Sequence, residues 1–456
     1  MIFIKRGRSM KKIGVLFVVI ALFCSTGTVT YSADRKECTV CGMYIDLYQK
    51  TAGHLELTDG KILESCGLAC LLRIVDDHGG PDAFTKITVK AWWSGQVIDA
   101  QQATYVLSST LIPDMMPSII AFATQENASR FQNEYGGVII SFTEALLTIS
   151  PTAMTMPTRL QTAVVPAQGA FAMGLGQMYM QMDDVLIDND SVSPSQFIKR
   201  PGQMMGPKKM TATGTMLMAN YGLTDDIALG LNTAYIQKEM EMYQMGGMKT
   251  VTEKNDGLSD TNVSLRYNFF KSVYYNHFLT ALAESSLPTG EFDKDYISRP
   301  GLQTGTGDFT FTGGLLYTYR FKKAWLHSKI AYTHKLENSD DYKFGDETRF
   351  GLALHYTPNY DTMLGVEADA TYYDNNELNS VDIGNSGGWR SNVAGVASYR
   401  FLTALGGNFD LKLAVGIPVY EDLNHGTMMG QDTVQLGGGW FGSLSVSFKR
   451  RFSHEH

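Results

Sequence analysis

Four cysteines near the start of this 456-residue chain have spacings that are suited to holding a metal ion. Cys38 and Cys41 form a Cys-x-x-Cys pair, and Met43 follows two residues later. Cys66 and Cys70 are four residues apart, so at the start of a helix their side chains would share one face. The two pairs are therefore candidates for one site with several sulfur ligands.

Four chemical roles are open for these thiols. In an oxidising compartment, paired cysteines commonly form structural disulfides. Four thiolates can instead hold zinc tetrahedrally, and a Cys-x-x-Cys pair can act as a redox centre, although no thioredoxin-like βαβ pattern surrounds this one. Thiolates beside a thioether select Cu(I), a soft cation, and the position of Met43 favours this role. Cu(I) is thus the leading ligand, with zinc or no metal as the alternative.

Methionine is the second source of soft ligands, and its distribution is uneven. The chain has 23 methionines, and most of them lie between positions 154 and 248. In a strand, residues two apart point to the same face, so Met-x-Met pairs would form rows of thioethers. Methionine is also an adaptable apolar filler, so a packing or lipid-facing role is the alternative. The residues that we include as candidate Cu(I) ligands are Met178, Met180, Met182, Met216 and Met218.

The cysteines lie in a segment, residues 34–149, in which strand and helix patterns alternate. Residues 54–57 and 61–63 predict a hairpin around an Asp-Gly turn, and an apolar periodic stretch over 68–75 predicts a helix. The remaining predicted elements are strands at 87–92, 105–107, 119–122 and 138–142 and a helix at 125–135. We therefore expect an α+β domain with two related strand–helix–strand units.

From residue 169 onward the pattern changes to strands separated by turns. Segments of about 10–14 residues alternate in polarity, and short turns alternate with long polar excursions, as in a transmembrane barrel. Polar residues on one face of nearly every strand suit a water-filled lumen better than a soluble sandwich or propeller. We predict an all-β transmembrane antiparallel barrel of about 12 strands.

The N-terminus is typical of an export signal. Basic residues that include Lys11 and Lys12 precede an apolar run over 13–23, and small and polar residues follow to Ala33. Small residues are expected before a lipidated cysteine, so Phe23 makes lipidation of Cys24 the less favoured interpretation.

These patterns divide the chain into four segments. We predict a signal peptide over 1–33, a metal-binding domain over 34–149, a linker over 150–168 and a barrel over 169–456. The linker is rich in proline and threonine and carries little charge. An even strand number brings both ends of a barrel to the periplasmic side, so we expect the cysteine domain in the periplasm.

Composition excludes one class of partner and argues against catalysis. The formal charge is −8 and no basic stripe is present, which excludes nucleic acid. No nucleophile–base arrangement is recognisable, and the nine histidines are dispersed. We therefore expect a binding or transport protein and not an enzyme.

The first segment resembles a known family of copper proteins. The motif Cys38-x-x-Cys41-Gly42-Met43 is similar to that of NosL, the copper-chaperone lipoproteins of nitrous-oxide reductase maturation. Matches follow in order at 64–66, 114–117 and 136–142, and the resemblance covers about residues 36–147. It implies Cu(I) binding by Cys38 or Cys41 together with Met115, with Met43 and Cys66 next. It assigns no role to Cys70, and Met116 stands where the family prefers glycine.

The second segment resembles a family of outer-membrane proteins. Residues 287–290, 305–309 and 416–424 are similar to proteins labelled "MetA-pathway of phenol degradation", and the resemblance covers about residues 169–452. It implies a barrel of about a dozen strands whose transported solute is poorly defined.

Together these features predict an outer-membrane protein that handles copper. The N-terminal domain would capture Cu(I) in the periplasm, and the methionine-rich barrel would serve as a channel or an anchor. The alternative is an outer-membrane channel for hydrophobic or aromatic solutes with a structural or redox N-terminal domain. The expected partners are outer-membrane lipid and a copper ion, with periplasmic copper proteins as further candidates. Methionine sulfurs that face the lumen would support a metal path, whereas lipid-facing sulfurs would remove that support.

Overall fold

The structure is a computed structural model that describes residues 35–149, 158–272, 274–321, 323–405, 407–428 and 430–451. The predicted signal peptide and residues 150–157 of the predicted linker lie outside the described residues. Within the described part of the chain, no helix is both long and apolar enough to cross a membrane.

The N-terminal domain is α+β, and it repeats one structural unit. Its elements are β1 (Gly53–Leu57), β2 (Ile62–Ser65), α1 (Leu68–Asp77), β3 (Phe84–Lys90), β4 (Val97–Asp99), β5 (Thr104–Leu107), β6 (Ile119–Phe122), α2 (Gln125–Tyr135), β7 (Val138–Ile140) and α3 (Phe142–Ile149). The two sheets have the orders β2-β1-β3-β4 and β6-β5-β7, so in each unit the first strand lies between the second and the third. Each unit thus follows the order strand, strand, helix, strand.

Helix α1 forms because its apolar residues recur at helical spacing and face the core. Leu68, Leu71, Leu72 and Val75 are buried, and they pack with Leu55 of β1. Burial of each such side chain contributes about 2 kcal/mol. This helix carries Cys70 in its first turn, so the core that orders the helix also positions a sulfur ligand.

The C-terminal part is a closed antiparallel barrel of twelve strands, as predicted. The barrel strands are β8 (Ala170–Met182), β11 (Gly206–Gly222), β12 (Ile227–Gln244), β14 (Thr261–Lys271), β15 (His277–Leu287), β16 (Thr310–Phe321), β17 (Ala324–Lys335), β19 (Glu347–Tyr356), β20 (Thr362–Tyr373), β23 (Gly388–Ala404), β24 (Gly407–Leu423) and β28 (Trp440–Arg451). Each of these twelve strands pairs with the barrel strand that comes before it and the one that comes after it in the chain. The pairing of the last strand, β28, with the first, β8, closes the barrel.

The barrel is apolar outside and polar inside, which is the reverse of a soluble protein. Along β24, Leu411, Leu413 and Val415 are exposed, whereas Lys412 and Ala414 between them are buried. Because successive side chains of a strand point to opposite faces, the exposed set forms the outer wall and the buried set lines the lumen. This alternation is typical of a transmembrane barrel.

The two rims of the barrel differ in the length of their connections. Short connections between β11 and β12, β14 and β15, β16 and β17, β19 and β20, and β23 and β24 form one rim. Longer connections at the other rim contain β9 (Asp184–Ile187), β10 (Asp190–Val192), α4 (Pro194–Phe197), β13 (Lys249–Leu258), β18 (Tyr342–Lys343), β21 (Glu377–Leu378), β22 (Val381–Asp382), β25 (Gly426–Met428), β26 (Gln431–Thr433) and β27 (Gln435–Gly437). Short 3-10 turns span Ile45–Tyr48, Pro81–Ala83, Met245–Gly247, Lys294–Tyr296 and Pro300–Leu302.

The N-terminal domain is docked on the short-turn rim. Tyr360, in the turn between β19 and β20, belongs to the same buried apolar cluster as the core of the domain. Its hydroxyl donates a hydrogen bond to the carboxylate of Asp76, at the end of α1. Asn408 of β24 donates a 2.9 Å hydrogen bond to the Asp76 carbonyl oxygen, and Arg320 donates one to the Thr148 hydroxyl. The docking contact is therefore partly apolar and partly a buried polar network.

Candidate metal centre and the barrel lumen

The four cysteines converge on one point of the N-terminal domain. Their sulfur atoms all lie within 4.8 Å of one another, although the two pairs are separated by 25 residues or more in the sequence. The sulfur of Cys66 is 3.4 Å from that of Cys41 and 3.8 Å from that of Cys70. Cys38, Cys66 and Cys70 are buried, whereas Cys41 is partly exposed. The two cysteine pairs therefore meet at one place, in a group that could hold a metal ion.

A tight hairpin presents the first two cysteines. The Cys38 amide donates to the Met43 carbonyl oxygen at 2.8 Å, and the Gly42 amide donates to the Cys38 carbonyl oxygen at 2.8 Å. Gly42 has a φ of +72°, a left-handed conformation that glycine adopts at little cost. This turn brings the side chains of Cys38 and Cys41 to the same side of the hairpin.

The second pair flanks the start of α1. Cys66 directly precedes Gly67, the N-cap residue of the helix, and Cys70 lies in the first turn. A Cβ atom at residue 67 would lie 1.6 Å from the Asp114 carboxylate, so any larger residue would displace the Asp114 side chain. Asp114 in turn accepts a 2.7 Å hydrogen bond from the Met115 amide, which holds Met115 over the start of the helix.

Met115 completes the sulfur cluster. Its thioether sulfur lies 3.2 Å from the sulfur of Cys70, and Met43 packs beside the same cluster. Cys70, to which the family resemblance assigns no role, is thus in direct contact with this thioether. Its contribution could not be assigned from the sequence because the contact joins residues 45 positions apart.

The dimensions of the cluster fit a metal ion bound among the four sulfurs. With metal–sulfur bonds of about 2.3 Å, the sulfurs of a tetrahedral thiolate site are separated by about 3.8 Å. The distances of 3.4 Å and 3.8 Å are close to this value. All four cysteines are free thiols in this structure, and their sulfurs are arranged so that they could hold a metal ion.

The four thiols share hydrogen bonds in a way that favours one thiolate. Hydrogen bonds from Cys41, and then from Cys66 and Cys70, hold the pKa of the Cys38 thiol far below its usual range. The same bonds toward Cys38 raise the pKa of Cys66 and Cys70 well above the usual range. Burial raises the pKa of the neighbouring Asp114 carboxyl to about 6. The cluster is therefore compact enough for its protons to be strongly coupled.

The methionines singled out in the barrel face its lumen. Met178, Met180, Met182 and Met216 line a lumen cavity of about 480 Å³. Met218 has the same parity as Met216 on β11, and its methyl group lies near Gly174 across the lumen face of β8. The neighbouring residues of opposite parity, such as Leu175 and Leu217, are exposed on the outer wall.

The described part of the predicted linker passes through the lumen. The carboxylate of Glu367 accepts hydrogen bonds from the backbone amides of Thr158 and Arg159 at 2.8 Å and 2.9 Å. Further along, the carbonyl oxygen of Ala163 accepts hydrogen bonds from Asn268 at 2.9 Å and Thr280 at 2.5 Å. We call residues 158–168 the lumen segment. It lies in the short-turn half of the barrel, on the side of the docked domain.

Charged side chains fix the lumen segment and line the wall around it. Arg159 forms a 2.7 Å ion pair with Asp369, and Gln161 accepts a 3.0 Å hydrogen bond from Lys329. The guanidinium of Arg266 is buried, and it donates a 3.0 Å hydrogen bond to Asn220. The lumen is therefore polar and charged where the segment lies, in agreement with the expected polar interior of the barrel.

Two family models match separate parts of the chain. Residues 30–148 match the model described as NosL. The N-terminal domain is a NosL domain. Residues 206–422 match the model described as "Putative MetA-pathway of phenol degradation". Both matches confirm the resemblances that the sequence motifs indicated, and no curated protein matches the chain.

Solved structures similar to the chain correspond to its two halves. An outer membrane channel from Pseudomonas putida F1 is 14% identical, with a TM-score of 0.45. The match covers 65% of this chain and 100% of the channel's chain. The P. putida toluene transporter TodX is 11% identical over 64% of this chain and 92% of its own, with a TM-score of 0.34. The copper chaperone NosL from Shewanella denitrificans is 22% identical over 26% of this chain and 95% of its own, with a TM-score of 0.22.

Proposed function

We propose that this protein captures Cu(I) in the periplasm and is held in the outer membrane by its barrel. The observation that carries the proposal is the convergence of four cysteine sulfurs and the Met115 thioether in the NosL domain. The ion is the cargo of the domain, bound by Cys38, Cys41, Cys66 and Cys70 with Met115 beside them.

The donor set favours Cu(I) over zinc. Thiolate and thioether ligands together are soft, and such sets select Cu(I). Zinc sites are built from thiolate, imidazole and carboxylate ligands. The 3.2 Å contact between Met115 and Cys70 places a thioether within the cluster, where a zinc site would not use it.

Exposure within the cluster provides a route for the ion. Cys41 is partly exposed, whereas the other three cysteines are buried. We infer that Cys41 meets the incoming ion first and passes it to the buried sulfurs. Transfer between thiolates of two proteins can use the same exposed sulfur, which suits exchange with periplasmic copper proteins.

The barrel surface supports an outer-membrane location. Its outer wall is apolar, and its connections are short at one rim and long at the other. In outer-membrane barrels the short turns are periplasmic. The NosL domain contacts the short-turn rim, so we place it in the periplasm.

The first test is a Cu(I) titration of the full chain in detergent against a competing Cu(I) chelator. We expect Cys38→Ser/Cys41→Ser to weaken binding by at least about 10- to 100-fold, because half of the thiolates are lost. Met115→Leu should weaken it less, since the thiolates remain. Met116→Leu is the matched control, because Met116 is exposed and lies next to Met115.

Equal Cu(I) affinity of the wild type and the Cys38→Ser/Cys41→Ser variant would overturn this proposal. Tighter binding of zinc than of Cu(I), measured on the same samples, would overturn the choice of metal. Circular dichroism of each variant separates lost ligands from lost folding.

The second test concerns the outer wall of the barrel. Leu413 is exposed on β24, and an arginine at a lipid-facing midplane position costs about 2–4 kcal/mol. We therefore expect Leu413→Arg to lower the folding stability of the barrel in lipid vesicles by about this amount, measured by urea unfolding. Thr250→Arg, on the exposed strand β13 at the long-loop rim, should change it little. Equal losses for both variants would contradict the lipid-facing assignment.

A channel for hydrophobic or aromatic solutes is the second candidate for the barrel. The match of residues 206–422 to the phenol-degradation model favours it, as does a second lumen cavity of about 670 Å³ partly lined by Phe344 and Leu436. The two candidates differ in what enters the lumen. Uptake of a monoaromatic compound by vesicles that contain the protein, with no dependence on its methionines, would support the solute channel.

A further inference from the structure

We propose that the barrel lumen contains a second soft-metal site, made of methionine thioethers and separate from the cysteine cluster. Its centre is a row of three residues, Met182, Met210 and Met240, which we call the thioether row. The ligand class is a monovalent soft cation, Cu(I) or Ag(I). The inference rests on the copper-handling function proposed above and extends it to the barrel.

Strand register places the thioether row side by side. Met210 of β11 is directly opposite Met182 of β8 and also directly opposite Met240 of β12. Directly opposed residues have Cβ atoms about 5 Å apart, which is within the reach of two thioether side chains around one ion. Three neighbouring strands thus present one sulfur each at the same height.

The row faces a cavity that contains further thioethers. The lumen cavity of about 670 Å³ is lined by all three members of the row. The additional methionines at the same cavity are Met180, Met205 and Met242. Met180 and Met182 also line the lumen cavity of about 480 Å³, together with Met178 and Met216. Thioethers therefore continue from the lumen segment toward the long-loop rim.

Three of the four cationic side chains that line this cavity are paired with carboxylates, which lowers the repulsion that a cation would meet. Arg390, which points at the Met182 sulfur from 3.8 Å, forms a 2.7 Å ion pair with Glu421. Lys335 forms an ion pair with Glu347. Arg299 forms an ion pair with Glu253. Lys238, the fourth cationic side chain at this cavity, donates a hydrogen bond to the Gln303 carbonyl oxygen, and the Asp432 carboxylate also lines the cavity. The repulsion that a monovalent cation would meet at the thioethers is therefore reduced.

Apolar packing alone does not explain the choice of methionine. Met210 does pack against Phe197 and Leu436 in a buried cluster. However, methionine is concentrated on the lumen face of three adjacent strands, whereas beyond Met248 the chain has only Met363, Met428 and Met429. Leucine would fill the same space on every strand, so the concentration indicates a role for the sulfur atoms.

The test uses the full chain with Cys24 and all four cysteines of the NosL domain replaced by serine. Cu(I) is titrated under reducing conditions against a weak colorimetric Cu(I) chelator. We expect the cysteine-free protein to retain Cu(I) binding, and Met182→Leu/Met210→Leu/Met240→Leu to weaken it by at least about tenfold. Leucine conserves the volume of methionine, so the barrel should keep its fold.

The matched control is Met173→Leu/Met245→Leu/Met248→Leu. Met173 faces the outer wall, and Met245 and Met248 are exposed at the long-loop rim. This control should bind Cu(I) as the cysteine-free parent does. Loss of binding in the control, or retained affinity in the variant of the thioether row, would overturn the inference.

A second measurement protects the test against misfolding of the cysteine-free chain. The protein with all its cysteines should bind Cu(I) in two phases, and only the weaker phase should disappear in the variant of the thioether row. A missing weaker phase in both proteins would overturn the thioether site alone. A missing tighter phase with the weaker phase intact would overturn the cysteine site alone.

Discussion

Removing the contacts that hold the lumen segment is expected to open the barrel to ions. Wild-type protein in a planar lipid bilayer should show little conductance, because residues 158–168 obstruct the lumen. Glu367→Ala removes the acceptor for two backbone amides of the segment. Hydrogen bonds to a charged group contribute about 1.5–3 kcal/mol each, so the variant loses roughly 3–6 kcal/mol of restraint. Such a loss shifts the closed–open equilibrium by about 10²- to 10⁴-fold.

The matched control replaces a lumen hydroxyl that does not touch the segment. The hydroxyl groups of Thr312 and Thr333 share a 2.8 Å hydrogen bond within the barrel wall. Thr312→Val should therefore leave the conductance unchanged. Asn268→Ala/Thr280→Ala, which frees the carbonyl oxygen of Ala163, should raise the conductance as Glu367→Ala does. Wild-type protein that already conducts, with no increase in either variant, would show that the segment does not block the lumen.

The path of the lumen segment could not be predicted from the sequence. Its proline, threonine and low charge predict a simple connection between two domains. Its contacts in the lumen join residues that are more than 100 positions apart, such as Ala163 and Asn268. The strands could be predicted because polarity alternates locally, whereas an insertion into the lumen leaves no periodic pattern.

The lumen orientation of the methionines shows a second limit of local patterns. On β8, Gln177 and Gln181 alternate with Met178, Met180 and Met182, and polarity alone would place the glutamines in the lumen. In the structure the methionines line the lumen, and Gln177 is exposed outside with a 2.6 Å hydrogen bond to Thr215. Methionine is compatible with either face, so the period of two identifies the shared face but not its direction.

The cysteine cluster could be predicted from the sequence in larger part than the lumen segment. The motif at Cys38 and Cys41 lies within one turn, and Cys66 and Cys70 lie within one helical repeat, so local spacing reveals both pairs. Their meeting depends on the packing of the hairpin against α1, which no local pattern encodes. The role of Cys70 beside Met115 emerges only from that packing.

Helix α1 links the cysteine cluster to the barrel, because it carries Cys70 at one end and contacts the short-turn rim at the other. Cys70 lies in its first turn and Asp76 near its last residue, about 9 Å apart along the helix axis. Asp76 lies 3.8 Å from the Arg400 guanidinium, which stacks 4.1 Å from the centre of the Tyr360 ring. The side chains of both charged residues are less than a tenth exposed.

Asp76→Ala should detach the NosL domain from the rim without changing its affinity for Cu(I). Removing one partner of a buried ion pair costs about 3–5 kcal/mol, and Arg400 keeps Asp410 at 3.6 Å, so we expect a loss near 3 kcal/mol. Hydrogen exchange of α1 and of the turn at 357–361 measures this loss, and Lys61→Ala, at an exposed turn of the same domain, is the control. In a double-mutant cycle of Asp76→Ala with Arg400→Met, the coupling energy between the two residues should account for most of the loss in docking free energy. Unchanged exchange in Asp76→Ala would mean that the apolar contact of Tyr360 and the hydrogen bonds of Asn408 and Arg320 are enough to hold the domain. A fall in Cu(I) affinity would mean instead that docking shapes the cysteine cluster, because Asp76 lies about 9 Å along the helix axis from Cys70.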